Sequence, residues 1–189
     1  MPDSTSDKLI TAAIALIGEK GPRGASTRAI AKRAGVNEVT LFRTFGKKND
    51  LIAACIRHLF ERILGPSGER PTSDDIEADL DALARDYFGL TRSHRHALAR
   101  LLPEIHSNRD LAETIWLNTA APVTATIFGL FSHHQGAGRL RDDADPRELA
   151  LAFLGPLLAH AIIGDLLGMP DELELTTYVR RYLDGHRPS

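Results

Sequence analysis

The chain of 189 residues contains a single cysteine, Cys55, and this scarcity excludes several classes of protein. One cysteine cannot form an intramolecular disulfide or supply a structural zinc finger, and a free thiol suits a reducing cytoplasm. No apolar run approaches the roughly 20 residues that span a bilayer, and the first residues lack the basic and apolar segments of a secretory signal. We therefore expect a cytoplasmic protein without a membrane segment.

Eight histidines are present, but they do not form a metal-binding pattern. His94 and His96 are two residues apart, and His133 and His134 are adjacent, so on a helix the members of each pair point in different directions. The sequence also has no Gly-x-Ser-x-Gly elbow, no phosphate-binding glycine loop and no dinucleotide fingerprint. We therefore expect no metal, no cofactor and no enzymatic activity.

The net charge of -2 conceals an uneven distribution along the chain. Residues 1–64 hold 11 basic and 6 acidic residues, whereas residues 65–189 hold 12 basic and 19 acidic residues. Between Lys20 and Lys48, eight basic residues accompany one acid, Glu38. Such a local excess is typical of a polyanion-binding module, although a solvated basic face has the same composition. Any nucleic-acid contact is expected in the first third of the chain.

Apolar spacing and capping residues predict three short helices in this basic region and the start of a fourth. Gly21 and the proline after it end the first helix, and Ser26 and Asn37 cap the second and third. Only a short turn around Gly35 separates the second helix from the third, which is the pattern of a helix-turn-helix. The predicted helices run over 7–20, 27–34, 38–45 and 50–64.

The rest of the chain shows helical spacing, and no alternating segment is long enough for a sheet. Pro103 and Pro122 are expected to kink or shorten two of its helices. These helices are predicted over 73–91, 94–105, 108–134, 146–167 and 171–183. The predicted fold class is therefore all-α, with an N-terminal three-helix helix-turn-helix domain over 1–64 and a C-terminal helical bundle over 65–189.

The segment from Ser26 to Leu51, STRAIAKRAGVNEVTLFRTFGKKNDL, resembles the DNA-binding signature of the TetR family of one-component regulators. The specific match covers about residues 7–64, and the helix-turn-helix covers about 26–45. The matching positions are Ile30-Ala31, Ala34-Gly35-Val36, Thr40-Leu41, Phe45, Lys48 and Leu51. The resemblance implies a dimeric regulator that binds double-stranded operator DNA.

The resemblance also implies which side chains face DNA, with the third helix in the major groove. Arg43 would pair with a guanine edge or a phosphate, and Glu38 would accept from a cytosine amino group or lie outside the contact. Phe42 stands where the family usually has tyrosine, so it packs on sugar or on its own domain. The expected DNA-binding residues are Ser26, Thr27, Arg28, Asn37, Glu38, Val39, Thr40, Phe42, Arg43, Thr44, Lys47 and Lys48.

The C-terminal part is expected to bind a ligand and to dimerise. A mostly apolar pocket with a few polar groups is expected to bind a partly apolar effector. The last two helices, over about 146–167 and 171–183, resemble the pair through which the family dimerises. An apolar helix buried within a monomer would show the same composition. The expected pocket residues are His58, Arg62, Tyr87, Phe88, Leu102, Trp116, Phe128, Phe131 and Phe153.

Taken together, these features favour a repressor that a small-molecule effector releases from a palindromic operator. Two alternatives fit the same sequence. One is a TetR-like activator or ligand-independent regulator, and the other is a helical small-molecule-binding or catalytic protein whose basic N-terminus is incidental. Sequence-selective DNA binding that weakens steeply with salt would separate the repressor and the other regulators from the small-molecule-binding or catalytic protein.

Overall fold

The structure, a computed structural model, describes residues 4–64, 70–170 and 172–188, without the side chains of Arg62, Leu64, Asn118 and Asp165. Within these residues it contains helices and no strand, which confirms the all-α class. The helices are α1 (Thr5–Gly24), α2 (Thr27–Arg33), α3 (Glu38–Phe45), α4 (Lys48–Leu64), α5 (Ile76–Ser93), α6 (Arg95–Ser107), α7 (Arg109–Ile115), α8 (Ala121–Gly136), α9 (Pro146–Ile163) and α10 (Leu175–His186). A π-helical turn (Trp116–Ala120) precedes α8, and a 3-10 turn (Asp165–Leu167) follows α9.

The first helices form for the reasons that the sequence indicates. Regular α1 geometry ends at Gly21, whose φ of 72° disfavours any residue with a side chain. The side chains of Ser26 and Asn37 each accept a backbone N–H from the first turn of the next helix, so they cap α2 and α3. Gly35 has a φ of 70° and makes the turn between these two helices.

The two prolines that were expected to disturb helices behave differently. α6 continues through Pro103 to Ser107, so this proline does not end the helix. Pro122 follows the π-helical turn, in which the N–H of Ala121 donates to the carbonyl of Trp116. A wider turn accommodates a proline, which lacks an N–H and crowds the preceding turn. The predicted helix over 108–134 is therefore divided into α7 and α8.

The chain forms two compact units, and each unit contains two stretches of sequence. The first unit comprises residues 1–60 and 94–121, and the second comprises residues 61–93 and 122–189. α6 and α7 therefore belong to the same unit as the helix-turn-helix, and α4 contributes to both units. These packing units differ from the two sequence domains 1–64 and 65–189.

The first unit has one continuous apolar core, in which α1 packs on α2 and α6. Leu9, Leu41 and Leu51 are fully buried in this core. Cys55 is also buried, and burial raises the pKa of its thiol to about 12. A thiol with such a pKa stays protonated and is a poor nucleophile.

The second unit is built on the packing of α5 against α9 and α10. An aromatic cluster lies at its centre: the ring of Phe153 is 5.9 Å from that of Phe131 and 4.9 Å from that of Tyr182. The hydroxyl of Tyr182 donates to the carbonyl of Leu149 at 2.8 Å, so the buried tyrosine has a hydrogen-bond partner.

α9 is apolar around most of its circumference, yet little of it is buried. Its 18 residues have a mean hydropathy of 1.3, and 28% of the segment is buried. By length and composition alone this helix could cross a membrane, so the expectation that no segment meets these two criteria was wrong. The exposed side includes Leu151 and Ile163, with Ala152, Gly155 and Ala159 between them. An apolar face of this length needs a covering partner.

A buried polar network connects α5 and α8 in the second unit. Nε2 of the fully buried His134 lies 3.0 Å from Oδ2 of Asp79, and Nδ1 of His134 accepts from Nε of Arg139 at 2.9 Å. Asp79 also accepts from the hydroxyl of Ser73 at 2.9 Å, and Arg139 donates to Asp74 at 3.1 Å. Because Nδ1 is an acceptor, the imidazole is neutral with its proton on Nε2. Burial lowers the pKa of His134, and the hydrogen bond to Asp79 opposes that shift only in part.

Acid should therefore destabilise the fold through His134. Its pKa is lowered in the folded chain, so below about pH 6.5 the unfolded chain binds a proton that the folded chain does not, and stability falls as the pH drops toward the folded pKa. We expect the melting temperature of His134→Gln, followed by circular dichroism, to fall less than that of the wild type between about pH 7.5 and 5.5. Glutamine can keep both hydrogen bonds and does not titrate.

His96→Gln is the control, because it removes an exposed histidine from α6. This variant should retain the pH dependence of the wild type. An identical pH dependence in His134→Gln and the wild type would contradict the assignment of a neutral imidazole at this position.

Candidate nucleic-acid interface

α2 and α3 form a helix-turn-helix in the first unit. The N–H of Val36 donates to the carbonyl of Ala31 at 3.0 Å, which closes the turn at Gly35. Ile30 of α2 and Leu41 of α3 are buried in the core of the first unit. Since the inner faces of both helices pack on the core, their opposite faces are exposed.

The outer face of α3 carries large apolar side chains. Val39 is 71% exposed and Phe42 is 45% exposed, and Arg43 and Thr44 are exposed beside them. The Thr44 hydroxyl donates to the carbonyl of Thr40 at 2.8 Å, within the helix. Apolar groups on such a face suit thymine methyl groups and deoxyribose.

Exposed cations surround this face, whereas other cations of the region form ion pairs. Nη1 of Arg33 lies 2.7 Å from Oε1 of Glu19, and Nε of Arg23 lies 3.3 Å from Oε2 of Glu104. The basic surface is therefore narrower than the sequence suggests. Besides the ion-paired Arg33, the exposed cations of α2, α3 and the turn after α3 are Arg28, Lys32, Arg43 and Lys47.

Lys48 differs from its exposed neighbour Lys47. Its Nζ donates to the carbonyl of Pro22 at 2.5 Å, and burial lowers the pKa of the amine. The bond ties the start of α4 to the last part of α1, directly after the kink at Gly21. An ammonium group has three N–H donors, so the bond to Pro22 leaves two for a phosphate.

Ser26 and Asn37 keep donors for DNA although both act as caps. The Ser26 hydroxyl oxygen accepts from the N–H of Ala29 at 3.2 Å, and the Asn37 amide oxygen accepts from the N–H of Val39 at 2.9 Å. The serine proton and the asparagine amide N–H groups are not used by these bonds. A helix N-terminus with such donors suits a phosphate.

Two of the expected DNA-binding residues bind each other. The Thr27 hydroxyl donates to Oε1 of Glu38 at 2.6 Å, and both side chains are half-buried. A threonine hydroxyl has one proton, so in this arrangement Thr27 does not also donate to a phosphate. The sequence analysis missed this pair. The positions of the two residues could have indicated the contact, because each is the first residue of its helix and directly follows the cap.

The residues that were expected to line a ligand pocket are distributed over both units. Phe131 and Phe153 belong to the buried aromatic cluster of the second unit. Leu102 and Trp116 lie in the first unit and are 44% and 55% exposed, which differs from the expected enclosed site. The π-helical turn begins at Trp116.

The other pocket residues have intermediate or buried positions. His58 is half-buried in the first unit, and Tyr87, Phe88 and Phe128 belong to the second. Burial raises the pKa of Tyr87 to about 12. The side chain of Arg62 lies outside the described residues.

The second unit contains an apolar groove of about 300 Å³ that the sequence analysis did not predict. Its two polar side chains already have partners: Nε2 of His160 lies 2.9 Å from the carbonyl oxygen of Pro170, and the Tyr178 hydroxyl donates to the carbonyl of Phe153. The groove therefore offers mainly apolar contact. Its lining residues are Pro156, Ala159, His160, Ile163, Leu167, Met169, Leu173 and Tyr178.

Two short capped helices, an exposed face on the second and cations around it define a helix-turn-helix DNA-binding protein. Residues 9–55 match the family model described as bacterial regulatory proteins, tetR family. Residues 70–181 match the model described as tetracyclin repressor-like, C-terminal domain. The chain belongs to the TetR family and is a DNA-binding transcriptional regulator.

Curated relatives agree with this assignment. The HTH-type transcriptional repressor Rv3405c of Mycobacterium tuberculosis is 36% identical over 179 residues, which cover 94% of this chain and 88% of the relative. The uncharacterized HTH-type transcriptional regulator YvdT of Bacillus subtilis is 35% identical over 99 residues, and this match spans 50% of this chain and 51% of YvdT.

Solved structures share the fold. GusR of Salmonella enterica superposes with a TM-score of 0.74 at 22% identity, over 96% of this chain and 94% of GusR. The regulator FadR of Bacillus subtilis, solved in complex with stearoyl-CoA, has a TM-score of 0.70 at 19% identity, over 94% and 95% of the two chains. The flavonoid-responsive regulator FrrA has a TM-score of 0.64 at 26% identity, over 97% of each chain.

Arg43 and Lys47 should both contribute to DNA affinity. Arg43→Ala should weaken operator binding by about 1–3 kcal/mol, and Lys47→Ala should weaken binding to all sequences and reduce the salt dependence by about one phosphate contact. Fluorescence anisotropy with labelled upstream DNA over a salt series measures both effects. Arg109→Ala is the control, because Arg109 lies on α7 with its side chain 90% exposed. Equal losses in all three variants would argue against a localised interface.

Proposed function

We propose that this protein is a cytoplasmic repressor without enzymatic activity, which binds a palindromic operator as a homodimer and is released by a small-molecule effector. The observation that carries the proposal is the exposed outer face of α3 with its surrounding cations. The name of the relative Rv3405c supports the repressor role. Residues 1–64 are assigned to DNA binding, and residues 65–189 to effector binding and dimerisation.

The assigned DNA-binding residues are those expected from the sequence, except Thr27 and Glu38, which bind each other. Arg28, Arg43 and Lys47 provide exposed cations, and Ser26 and Asn37 provide donors at helix N-termini. Selection of binding sites from random DNA tests this assignment directly. A palindromic consensus, bound with strong salt dependence, is the expected result. Equal binding to all sequences would contradict the operator-binding role.

Dimerisation is assigned to the last two helices, and chiefly to α9. One recognition helix reads half of a palindrome, so operator binding requires a second copy of the chain. α9 exposes Leu151, which is 65% exposed, together with the small residues Ala152, Gly155 and Ala159. Small residues allow two helices to approach closely. The exposed side of α10 is polar at Arg180 and neighbouring positions, so it is better placed at the rim of an interface.

Ala159→Glu should dissociate the dimer, because it places a charge in the middle of the apolar α9 face. The matched control is Ala82→Glu, which makes the same change at an exposed alanine of α5. Sedimentation velocity should find the wild type and Ala82→Glu as dimers and Ala159→Glu as monomers at micromolar concentration. Operator affinity should fall together with dimerisation. A dimeric Ala159→Glu would exclude this face as the interface.

The effector is proposed to be a partly apolar small molecule. FadR of the same fold was solved with stearoyl-CoA, and FrrA is described as flavonoid-responsive, so acyl-CoA esters and flavonoids are suitable first probes. An effector must bind the DNA-free protein more tightly than the DNA-bound protein, and linkage then requires operator DNA to weaken effector binding by the same factor.

Reciprocity is therefore the test of an effector. Each compound that raises the melting temperature should be titrated by calorimetry with and without operator, and operator affinity should be measured with and without the compound. We expect the two coupling factors to agree, at roughly 5- to 150-fold. A compound that binds tightly without changing operator affinity is a ligand of the fold but not its effector.

A further inference from the structure

We propose that Glu38 is a positioning residue for operator selectivity: its carboxylate fixes the start of α3 against the start of α2 through Thr27, and it reads no base. The proposal rests on the DNA-binding role of the helix-turn-helix. It assigns a function to the one acidic residue between Lys20 and Lys48.

The Thr27–Glu38 bond fixes the two helices at a second point, distant from the turn. The first point is the turn itself, where the N–H of Val36 donates to the carbonyl of Ala31. Thr27 is the first residue of α2, four positions before Ala31, so the two attachment points are roughly 6 Å apart along the helix at 1.5 Å per residue. Two separated attachments restrict the angle between α2 and α3 more than the turn alone does.

α3 needs this second attachment because few of its side chains are buried. Leu41 is its buried residue, and Phe45 is partly buried against the same core. These two residues lie one turn apart, at the middle and at the end of the helix, and anchor those parts. Glu38 anchors the beginning of the helix, which carries the exposed Val39.

The chemistry of the pair also argues against contact with a phosphate. The Thr27 proton is directed to Glu38, so the pair presents mainly oxygen lone pairs, and a phosphate is repelled by a carboxylate. The exposed cations Arg28, Arg43 and Lys47 are better partners for phosphates. A carboxylate in the first turn is stabilised by the helix dipole, which supports a structural position for Glu38.

A double-mutant cycle on DNA selectivity tests the proposal. Selectivity is the Kd for scrambled DNA divided by the Kd for the selected operator. Thr27→Val and Glu38→Ala should each reduce it about tenfold, because each removes the same hydrogen bond to a charged group. The double variant should lose no more than either single variant, since the two residues act as one unit. Thr27→Ser and Glu38→Gln keep a donor and an acceptor and should recover most of the selectivity.

Two controls separate this effect from general damage. Thr11→Val and Glu113→Ala make matching changes at exposed positions on α1 and α7, and they should leave selectivity unchanged. Circular dichroism melting confirms that each variant is folded. Glu38→Gln preserves side-chain size and Thr27→Ser removes only a methyl group, so the comparison holds even where an alanine or valine variant is unstable.

Several outcomes would overturn the proposal. A repeated selection in which Glu38→Ala changes the preferred base at one operator position, while Thr27→Val does not, would show that Glu38 reads a base. Additive losses in the cycle would show that the two residues act independently. If Glu38→Gln lost as much selectivity as Glu38→Ala, the effect would come from the negative charge of Glu38 and not from its hydrogen bond with Thr27. A wild-type protein that selects no sequence would instead overturn the operator-binding role itself.

Discussion

The DNA-binding face depends on the burial of a few apolar side chains, because its two helices are too short to persist alone. α2 has 7 residues and α3 has 8, whereas isolated helices shorter than about 12–15 residues are marginal in water. Ile30 and Leu41 hold both helices on the core that α1 provides. The caps, the glycine turn and the Thr27–Glu38 bond can act only once this packing exists. Core packing within the first unit therefore determines the position of each side chain on the outer face.

The cations of the first unit differ in whether a carboxylate accompanies them. Arg33 and Arg23 each have a carboxylate partner, Glu19 and Glu104, so these cations are partly neutralised by the protein itself. Arg28, Lys32, Arg43 and Lys47, on α2, α3 and the following turn, are exposed. Phosphate attraction falls off over about a Debye length, roughly 8 Å at physiological salt, so cations close to the outer face of α3 contribute most. A net charge calculated over residues 1–64 hides this difference.

The sequence was most informative where structure is determined locally. Caps at Ser26 and Asn37 and a left-handed glycine at position 35 act over a few residues, so the helix-turn-helix was predictable nearly to the residue. The candidate pocket was not predictable, because an apolar side chain such as Phe153 or Trp116 has the same character in a core, a pocket or a surface. Its surroundings depend on long-range packing and on the π-helical turn. The partner of Glu38 was missed for the same reason, since the contact depends on the angle between two helices.

The composition of α9 does not indicate whether lipid or protein contacts its exposed apolar face, but its packing on neighbouring helices does. Lipid or a protein partner could each cover an apolar helix of 18 residues. α5, however, packs on α9 and carries exposed charged residues, including Arg85 and Asp86. Placing α9 in a bilayer would either bring these charges into lipid or separate the two helices and expose the core between them, and both cost several kcal/mol. In the proposed dimer, a second copy of the chain would cover the exposed face of α9 while its packing on α5 stays intact, and it would also supply the second recognition helix that a palindromic operator requires.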